Sequence, residues 1–155
     1  MLKKILTSEV IATDGKAQDW RQAVKCCGEL LVAAGKIEAD FITSMIEVVE
    51  EFGPYMILVP EVAFFHGRPG PLVKEPCLSL VTLSEPVFFT DFANQKISCA
   101  FGFGATDNNS HLRLLKGVSQ LLQNEEFLAL ITHNGSKADI MEIINNMQEE
   151  DYETN

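Results

Sequence analysis

Basic residues are scarce in this sequence. Its 155 residues include 12 lysines and arginines against 22 aspartates and glutamates, which gives a formal net charge of −10 at pH 7. Because binding to polyanions requires Lys and Arg to neutralise phosphates, this charge argues against nucleic acid and anionic membrane surfaces as partners. Much of the acid lies in residues 149–155, which we expect to form a solvated acidic tail after a single domain at residues 1–148.

Long apolar runs and metal-ligand spacings are also missing. No run approaches the length of a membrane span, and residues 1–12 lack the core of a secretory signal, so we expect a cytoplasmic chain without membrane insertion. The four cysteines, Cys26, Cys27, Cys77 and Cys99, form no C-x-x-C pair and show no ligand spacing with the three histidines. Free thiols are the simplest account of them. A P-loop, a dinucleotide fingerprint and a nucleophile elbow are absent too, and we expect no metal and no other cofactor.

Hydrophobic periodicity predicts a mixed fold. Amphipathic helices are predicted at residues 17–34 and 39–52, and further helices after the polar runs near residues 105–111, 124 and 136. Strands are predicted at 55–59, 61–65, 77–83, 87–89 and 97–103, and residues 5–11 predict a first strand or an extended arm. We therefore predict an α/β fold, a three-layer sandwich of a mixed β-sheet with helices on both faces.

His66 is the first candidate for chemistry. It follows an apolar, strand-like run and precedes Gly67-Arg68-Pro69-Gly70-Pro71, which cannot continue a regular element. An imidazole is partly neutral at pH 7 and offers a nucleophilic lone pair, and Arg68 offers a positive fork suited to phosphate or carboxylate. The combination suggests phosphoryl chemistry. A hydrogen-bonded core histidine beside a loop arginine fits the local sequence equally well.

His111 is the second candidate. It lies in the predicted first turn of a helix, where Asn109, Ser110 and their N–H groups favour a bound anion. The field of the helix would also lower the pKa of His111 and keep it a neutral hydrogen-bond donor. If the strands ending near His66 and Phe103 are neighbours, both imidazoles reach one crevice. An ordinary helix cap with a surface histidine remains the alternative, and we assign His133, before Asn134-Gly135, a structural role.

The residues from Val59 to Pro69 resemble the active-site segment of the mannitol/fructose class of enzyme IIA components of the bacterial sugar phosphotransferase system. The ascorbate-type branch is the most similar, since its histidine is followed by a small residue, Arg and Pro. Residues 105–112 resemble the second histidine motif of the family, and residues 80–84 and 125–127 fit as well. The family usually has proline where Phe65 stands here. The mannitol branch has an arginine where this chain has Val48, a charge that Arg68 would replace.

This resemblance implies a phosphocarrier. His66 would accept a phosphoryl group from the phosphohistidine of HPr and pass it to a cysteine of an enzyme IIB, in the uptake of a sugar, L-ascorbate in this branch, through a membrane IIC. His111 would stabilise the phosphoryl group or the first imidazole, with Arg68, Asn109 and Ser110 binding phosphate. Such a transfer needs positioning and charge stabilisation but no metal, and an exposed apolar rim including Phe64 or Phe65 would exclude water.

Other possibilities stay open at this point. A regulatory module of the same fold would be phosphorylated as a signal without onward transfer, and a non-catalytic binding domain would carry no phosphohistidine. A homodimer is also possible on the sequence alone.

Overall fold

Five strands and six helices make up the described part of the chain. The computed structural model describes residues 2–89 and 95–147. The helices are α1 (Leu2–Ile5), α2 (Trp20–Ala33), α3 (Asp40–Phe52), α4 (Asn108–Leu121), α5 (Glu125–Thr132) and α6 (Lys137–Asn146). The strands are β1 (Ile11–Gly15), β2 (Ile57–Val59), β3 (Glu61–His66), β4 (Cys77–Phe89) and β5 (Gln95–Gly104). Short 3-10 turns occupy Ser8–Val10 and Gly53–Met56. The acidic tail predicted at residues 149–155 lies outside the described residues.

The strands form one mixed sheet with the order β1-β4-β5-β3-β2. The pairs β1–β4 and β3–β5 are parallel, and the pairs β4–β5 and β2–β3 are antiparallel. In the parallel β3–β5 pair, His66 lies opposite Phe103 and Phe64 lies opposite Phe101. The last residues of β3 and β5 therefore meet at one edge of the sheet, which is the condition for the two candidate histidines to converge.

Helices cover both faces of this sheet, as predicted. On one face, α2 packs against β4 and β5, and α3 packs against β3. On the other face, α5 contacts β5 and α6 contacts β1. Gly102 lets the first layer come close, because a Cβ there would lie 2.6 Å from the Cβ of Cys27 on α2. The three-layer α/β sandwich is confirmed. Among the described residues, none of the helices combines the length and apolar content that a bilayer crossing requires.

The helix boundaries follow the local sequence closely. Each of four helices begins after a side chain that accepts a backbone N–H bond from the first turn: Asp19 before α2, Asp107 before α4, Asn124 before α5 and Ser136 before α6. Gly35, just after α2, has a φ of 75°, a conformation that favours glycine. These predicted helices are therefore confirmed to within a few residues.

The strands differ more from prediction. The two predicted pieces at 55–59 and 61–65 are the arms of a tight hairpin, with Pro60 in the turn and Glu61 at a φ of 73°. The pieces at 77–83 and 87–89 are one strand, because a register shift between Thr82 and Val87 accommodates Pro86. Before β1, residues 2–5 form the short helix α1 rather than an extended arm.

Candidate active site

The two predicted histidines come together at the edge where β3 and β5 end. His66 is the last residue of β3, and its neighbour Phe103 lies on the same face of the sheet. Residues 105–107 then lead directly into α4, which brings His111 over that face. The ring centroids of His66 and His111 are 5.1 Å apart, with an interplanar angle of 79°. Both side chains are half-buried, so the pair is neither sealed in the core nor fully solvated.

A backbone contact determines the tautomer of His66. Its Nδ1 lies 3.2 Å from the carbonyl oxygen of Phe64. Because a carbonyl oxygen only accepts hydrogen bonds, Nδ1 carries the proton and donates it, and Nε2 of the neutral ring keeps its lone pair. The strand therefore presents Nε2 as the nucleophilic atom of the pair.

Burial keeps His66 uncharged at neutral pH. It lowers the pKa of His66 from 6.5 to about 4, with a smaller contribution from His111 and an opposing one from the Phe64 carbonyl. Burial also lowers the pKa of His111. The direction of the pKa shift of His111 is the predicted one, and desolvation by burial causes it.

Phenylalanine rings form the floor under both imidazoles. The centroid of the Phe103 ring is 4.8 Å from that of His66 and 5.0 Å from that of His111, and Phe103 itself stacks on Phe64 at 4.2 Å. Phe64 and Phe65 are fully buried, and Phe65 contacts Phe89 edge-on instead. The predicted exposed rim of Phe64 or Phe65 is therefore wrong. The alternation of Phe101 and Phe103 along the strand indicates that they share a face, but no sequence signal indicates that imidazoles lie against it.

Arg68 is bound elsewhere in this structure. Its Nη2 lies 2.6 Å from Oε2 of Glu51 at the end of α3, and its backbone N–H donates to the Ser44 hydroxyl. Val48, which stands where the resemblance expects an arginine, is buried in the core. The guanidinium predicted for phosphate is thus held by a surface carboxylate, and its role in anion binding stays a prediction.

Ser110 is a capping residue. Its hydroxyl accepts the N–H groups of Thr106 and Asp107 and donates to the Asp107 carbonyl, while its own N–H donates to the Asp107 carboxylate. Hydrogen bonding from the Ser110 N–H, and also from its hydroxyl, lowers the pKa of the Asp107 carboxyl. The cap uses both the hydroxyl and the N–H of Ser110, so its predicted phosphate contact stays a prediction that requires the cap to rearrange. Asn109 is exposed in the same turn, and its predicted role remains untested.

His133 and the four cysteines have surroundings that indicate structural roles. His133 caps the end of α5, with Nδ1 3.0 Å from the carbonyl oxygen of Ala129. All four cysteines are unpaired, and burial raises the pKa of Cys77 to about 11 and those of Cys27 and Cys99 further. Such thiols stay protonated and are poor nucleophiles at neutral pH.

Known proteins resemble this chain over most of its length. The family model described as "Phosphoenolpyruvate-dependent sugar phosphotransferase system, EIIA 2" matches residues 4–147. The ascorbate-specific PTS system EIIA component of Escherichia coli (strain K12) is 31% identical over 135 residues, covering 86% of this chain and 88% of that protein.

Solved structures show the same fold. A putative PTS IIA (PtxA) from Streptococcus mutans superposes with a TM-score of 0.80 at 27% identity, over 89% of this chain and 88% of that one. Enzyme IIA-Mtl of Escherichia coli, solved in complex with phosphorylated enzyme IIB-Mtl, superposes with a TM-score of 0.79 at 22% identity, over 92% and 98% of the two chains.

Proposed function

Since this chain belongs to the EIIA type 2 family, and is thus a phosphotransferase component of the phosphoenolpyruvate-dependent sugar phosphotransferase system, we propose that His66 is its phosphoryl carrier. His66 accepts the phosphoryl group of a phosphohistidine on HPr and passes it to a cysteine of an enzyme IIB. The observation that carries the proposal is a half-buried imidazole whose Nδ1 faces the Phe64 carbonyl oxygen, which leaves Nε2 free, and whose ring centroid lies 5.1 Å from that of a second imidazole.

The first transfer moves one phosphoryl group between two nitrogens. The lone pair of His66 Nε2 attacks phosphorus as the N–P bond of the donor breaks, and the electron pair of that bond returns to the donor imidazole. The transition state is loose, so the protein contributes mainly by aligning the two nitrogens and stabilising the oxygens. Nδ1–H keeps its bond to the Phe64 carbonyl oxygen, which spreads the positive charge that the phosphorylated ring acquires.

His111 stabilises the phosphoryl group once it is in place. The group on His66 Nε2 brings about two negative charges close to the second imidazole, which raises the proton affinity of His111. The resulting imidazolium donates to a phosphoryl oxygen. In the second transfer, the cysteine thiolate of the IIB attacks phosphorus, the N–P bond breaks, and the electron pair returns to Nε2 of His66.

Arg68 and Asn109 complete the anion site in this proposal. The Arg68–Glu51 ion pair is exposed on both sides, and such pairs contribute at most about 1 kcal/mol. A phosphoryl dianion two residues away can therefore draw the guanidinium from Glu51. Asn109 offers an exposed side-chain amide in the first turn of α4, two residues before His111 in the sequence.

The names of the relatives support a proposal for the transported sugar and the partners. A protein named ascorbate-specific at 31% identity supports L-ascorbate as the sugar whose uptake this chain serves, in the cytoplasm and with a membrane IIC. Leu112, next to His111, has 62% of its surface exposed and offers an apolar contact for HPr and the IIB beside the reacting atoms.

Labelling by phospho-HPr tests the proposal directly. We expect the wild-type protein to gain an acid-labile phosphoryl group, His66→Ala to gain none, and His111→Ala to be labelled but to pass the group to a IIB more slowly. His133→Ala, at a helix end, is the control and should behave as wild type. Full labelling of His66→Ala would overturn the assignment, and a wild-type protein that holds its phosphoryl group in the presence of the IIB would point to a signalling role instead.

The same assay measures the contribution of Arg68. Arg68→Ala should load more slowly, because the phosphoryl oxygens lose a cation. Arg21→Ala removes an arginine from a comparable exposed pair with Glu50 and is the matched control. Equal loading rates for the two variants would remove Arg68 from the site.

A further inference from the structure

We propose that Phe103 is a positioning residue for phosphoryl transfer. Its ring is the floor that both imidazoles share, and it holds them at right angles and keeps water from beneath His66. The inference rests on the proposed function of His66 and extends it to a residue outside the two histidine motifs.

The contacts of the Phe103 ring support this role. Its centroid lies 4.8 Å from that of His66 at an interplanar angle of 39°, and 5.0 Å from that of His111 at 56°. The two imidazoles meet at 79°. One flat side chain therefore contacts both rings, and a rotation of either imidazole away from its position would have to leave that contact.

The surroundings of Phe103 prevent the ring itself from moving. Only 1% of its surface is exposed, and it stacks on Phe64 with an interplanar angle of 20°. On the opposite face of the sheet, other side chains pack closely against the backbone before and after Phe103. A Cβ at Gly102 would lie 2.6 Å from Cys27 Cβ on α2, and one at Gly104 would lie 3.0 Å from Val73 Cγ2. The strand cannot shift towards that face without a clash.

An aromatic ring suits this position better than an aliphatic side chain. Before transfer, the apolar floor excludes water from the side of His66 that faces Phe103, and this favours the neutral imidazole that attacks phosphorus. After transfer, the phosphorylated imidazole carries positive charge beside the Phe103 ring, and the negative quadrupole of an aromatic face attracts such a cation. The same ring thus fits both states of His66.

Phe103→Leu tests the inference, with Phe101→Leu as the matched control. Phe101 lies two residues earlier on the same face of β5, is equally buried, and contacts Phe64 at 6.1 Å rather than the imidazoles. Both variants lose similar core volume. NMR titration of the histidine ring protons in the unphosphorylated protein and single-turnover transfer from phospho-HPr are the two measurements.

In Phe103→Leu, we expect the titration midpoint of His66 to rise towards 6.5 and the proton–proton contacts between the two imidazoles to weaken. The single-turnover rate should fall about tenfold at unchanged apparent affinity for phospho-HPr, since misplaced reacting atoms slow the chemical step. Phe101→Leu should lower the melting temperature to a similar degree and leave the titrations and the single-turnover rate as in the wild type.

The outcomes separate this inference from the function on which it rests. If Phe103→Leu matches Phe101→Leu in titration and in rate, Phe103 is only a core residue and the inference is overturned. If the wild type is not phosphorylated at all, the proposed function fails, and the titrations still decide whether Phe103 orients the imidazoles. Should Phe103→Leu not fold, Phe103→Met keeps the volume without the flat ring and is expected to show the same loss of rate and the same weakened contacts between the two imidazoles, and a wild-type rate would overturn the inference.

Discussion

The buried, neutral state of His66 makes the stability of the protein depend on pH in a calculable way. The perturbation is a drop from pH 7.5 to pH 5.5, applied to the wild type and to His66→Asn. The asparagine amide reproduces the Nδ1 donor to the Phe64 carbonyl oxygen but does not titrate. The difference in unfolding free energy between the two proteins therefore isolates the titration of His66.

The sign follows from the lowered pKa. The folded protein binds a proton at His66 only near a pKa of about 4, whereas the unfolded chain binds it near 6.5. Between these values the unfolded state holds more protons, so stability is fully present above about pH 6.5 and is lost as the pH falls towards 4. The unfolding free energy is therefore about 1.4 kcal/mol lower at pH 5.5 than at pH 7.5. A smaller lowering of the pKa in the folded state would give a similar difference, because at pH 5.5 the folded protein would still be mostly neutral at His66.

Urea unfolding at the two pH values measures this loss. The wild type should lose about 1.4 kcal/mol more than His66→Asn over the interval, and the other titrating groups, which are present in both proteins, cancel in the difference. NMR titration of the His66 ring should give a midpoint well below 6.5. If the difference between the two proteins stays constant within about 0.3 kcal/mol, His66 is not desolvated in the folded state and the account of its nucleophilicity fails.

Three further predictions follow from the same site. Phosphorylation of His66 should raise the NMR titration midpoint of His111, because a dianion then faces it, and an unchanged midpoint would remove His111 from the anion site. Leu112→Ser should raise the KM for phospho-HPr with little change in kcat, whereas Phe88→Ser, an exposed aromatic at the other end of β4, should change neither. Gly67→Ala should lower the unfolding free energy by about 1–3 kcal/mol in a urea titration, since a Cβ there would lie 2.7 Å from a hydroxyl oxygen on α3; an unaltered midpoint would show that the loop after β3 relaxes freely.

The helices could be predicted from nearby residues in the sequence, whereas the position of the candidate site depends on which strands pair in the sheet. Capping side chains such as Asp107 and Ser136 act within one turn, so the sequence alone identifies the helix starts. The meeting of His66 and His111 depends instead on β3 and β5 being parallel neighbours, which no local pattern specifies. The sequence predicted that His66 and His111 would meet if the strands ending near His66 and Phe103 were neighbours. The sheet order shows that these two strands are neighbours.

Residue type indicates that a side chain can bind phosphate, but not which partner it has in the free protein. The phosphate roles of Ser110 and Arg68 stay predictions, since in this structure each side chain has a nearer partner: Ser110 in the cap of α4, and Arg68 in the carboxylate of Glu51. Polar side chains often form hydrogen bonds with nearby groups, and the residue type alone does not show which nearby group competes with phosphate for them. Phe103 was missed for the opposite reason, because an apolar residue in a strand is ordinarily core, and only the coordinates show two imidazoles against its ring.

The distribution of charge at the site suits a carrier better than a binder. A fixed cation against His66 would stabilise the phosphorylated state and raise the barrier to the second transfer, since stabilising a ground state does not speed the step that leaves it. Here the Arg68 guanidinium lies in an exposed pair with Glu51, which in the proposed mechanism it leaves only when the phosphoryl group is present, and burial lowers the pKa of His111 before loading. In the proposed mechanism, charge on His111 arises with the phosphoryl group and disappears with it. Under that proposal, a pair of imidazoles on an apolar floor would allow the phosphoryl group to arrive and to leave at similar cost, which is what a relay between two proteins requires.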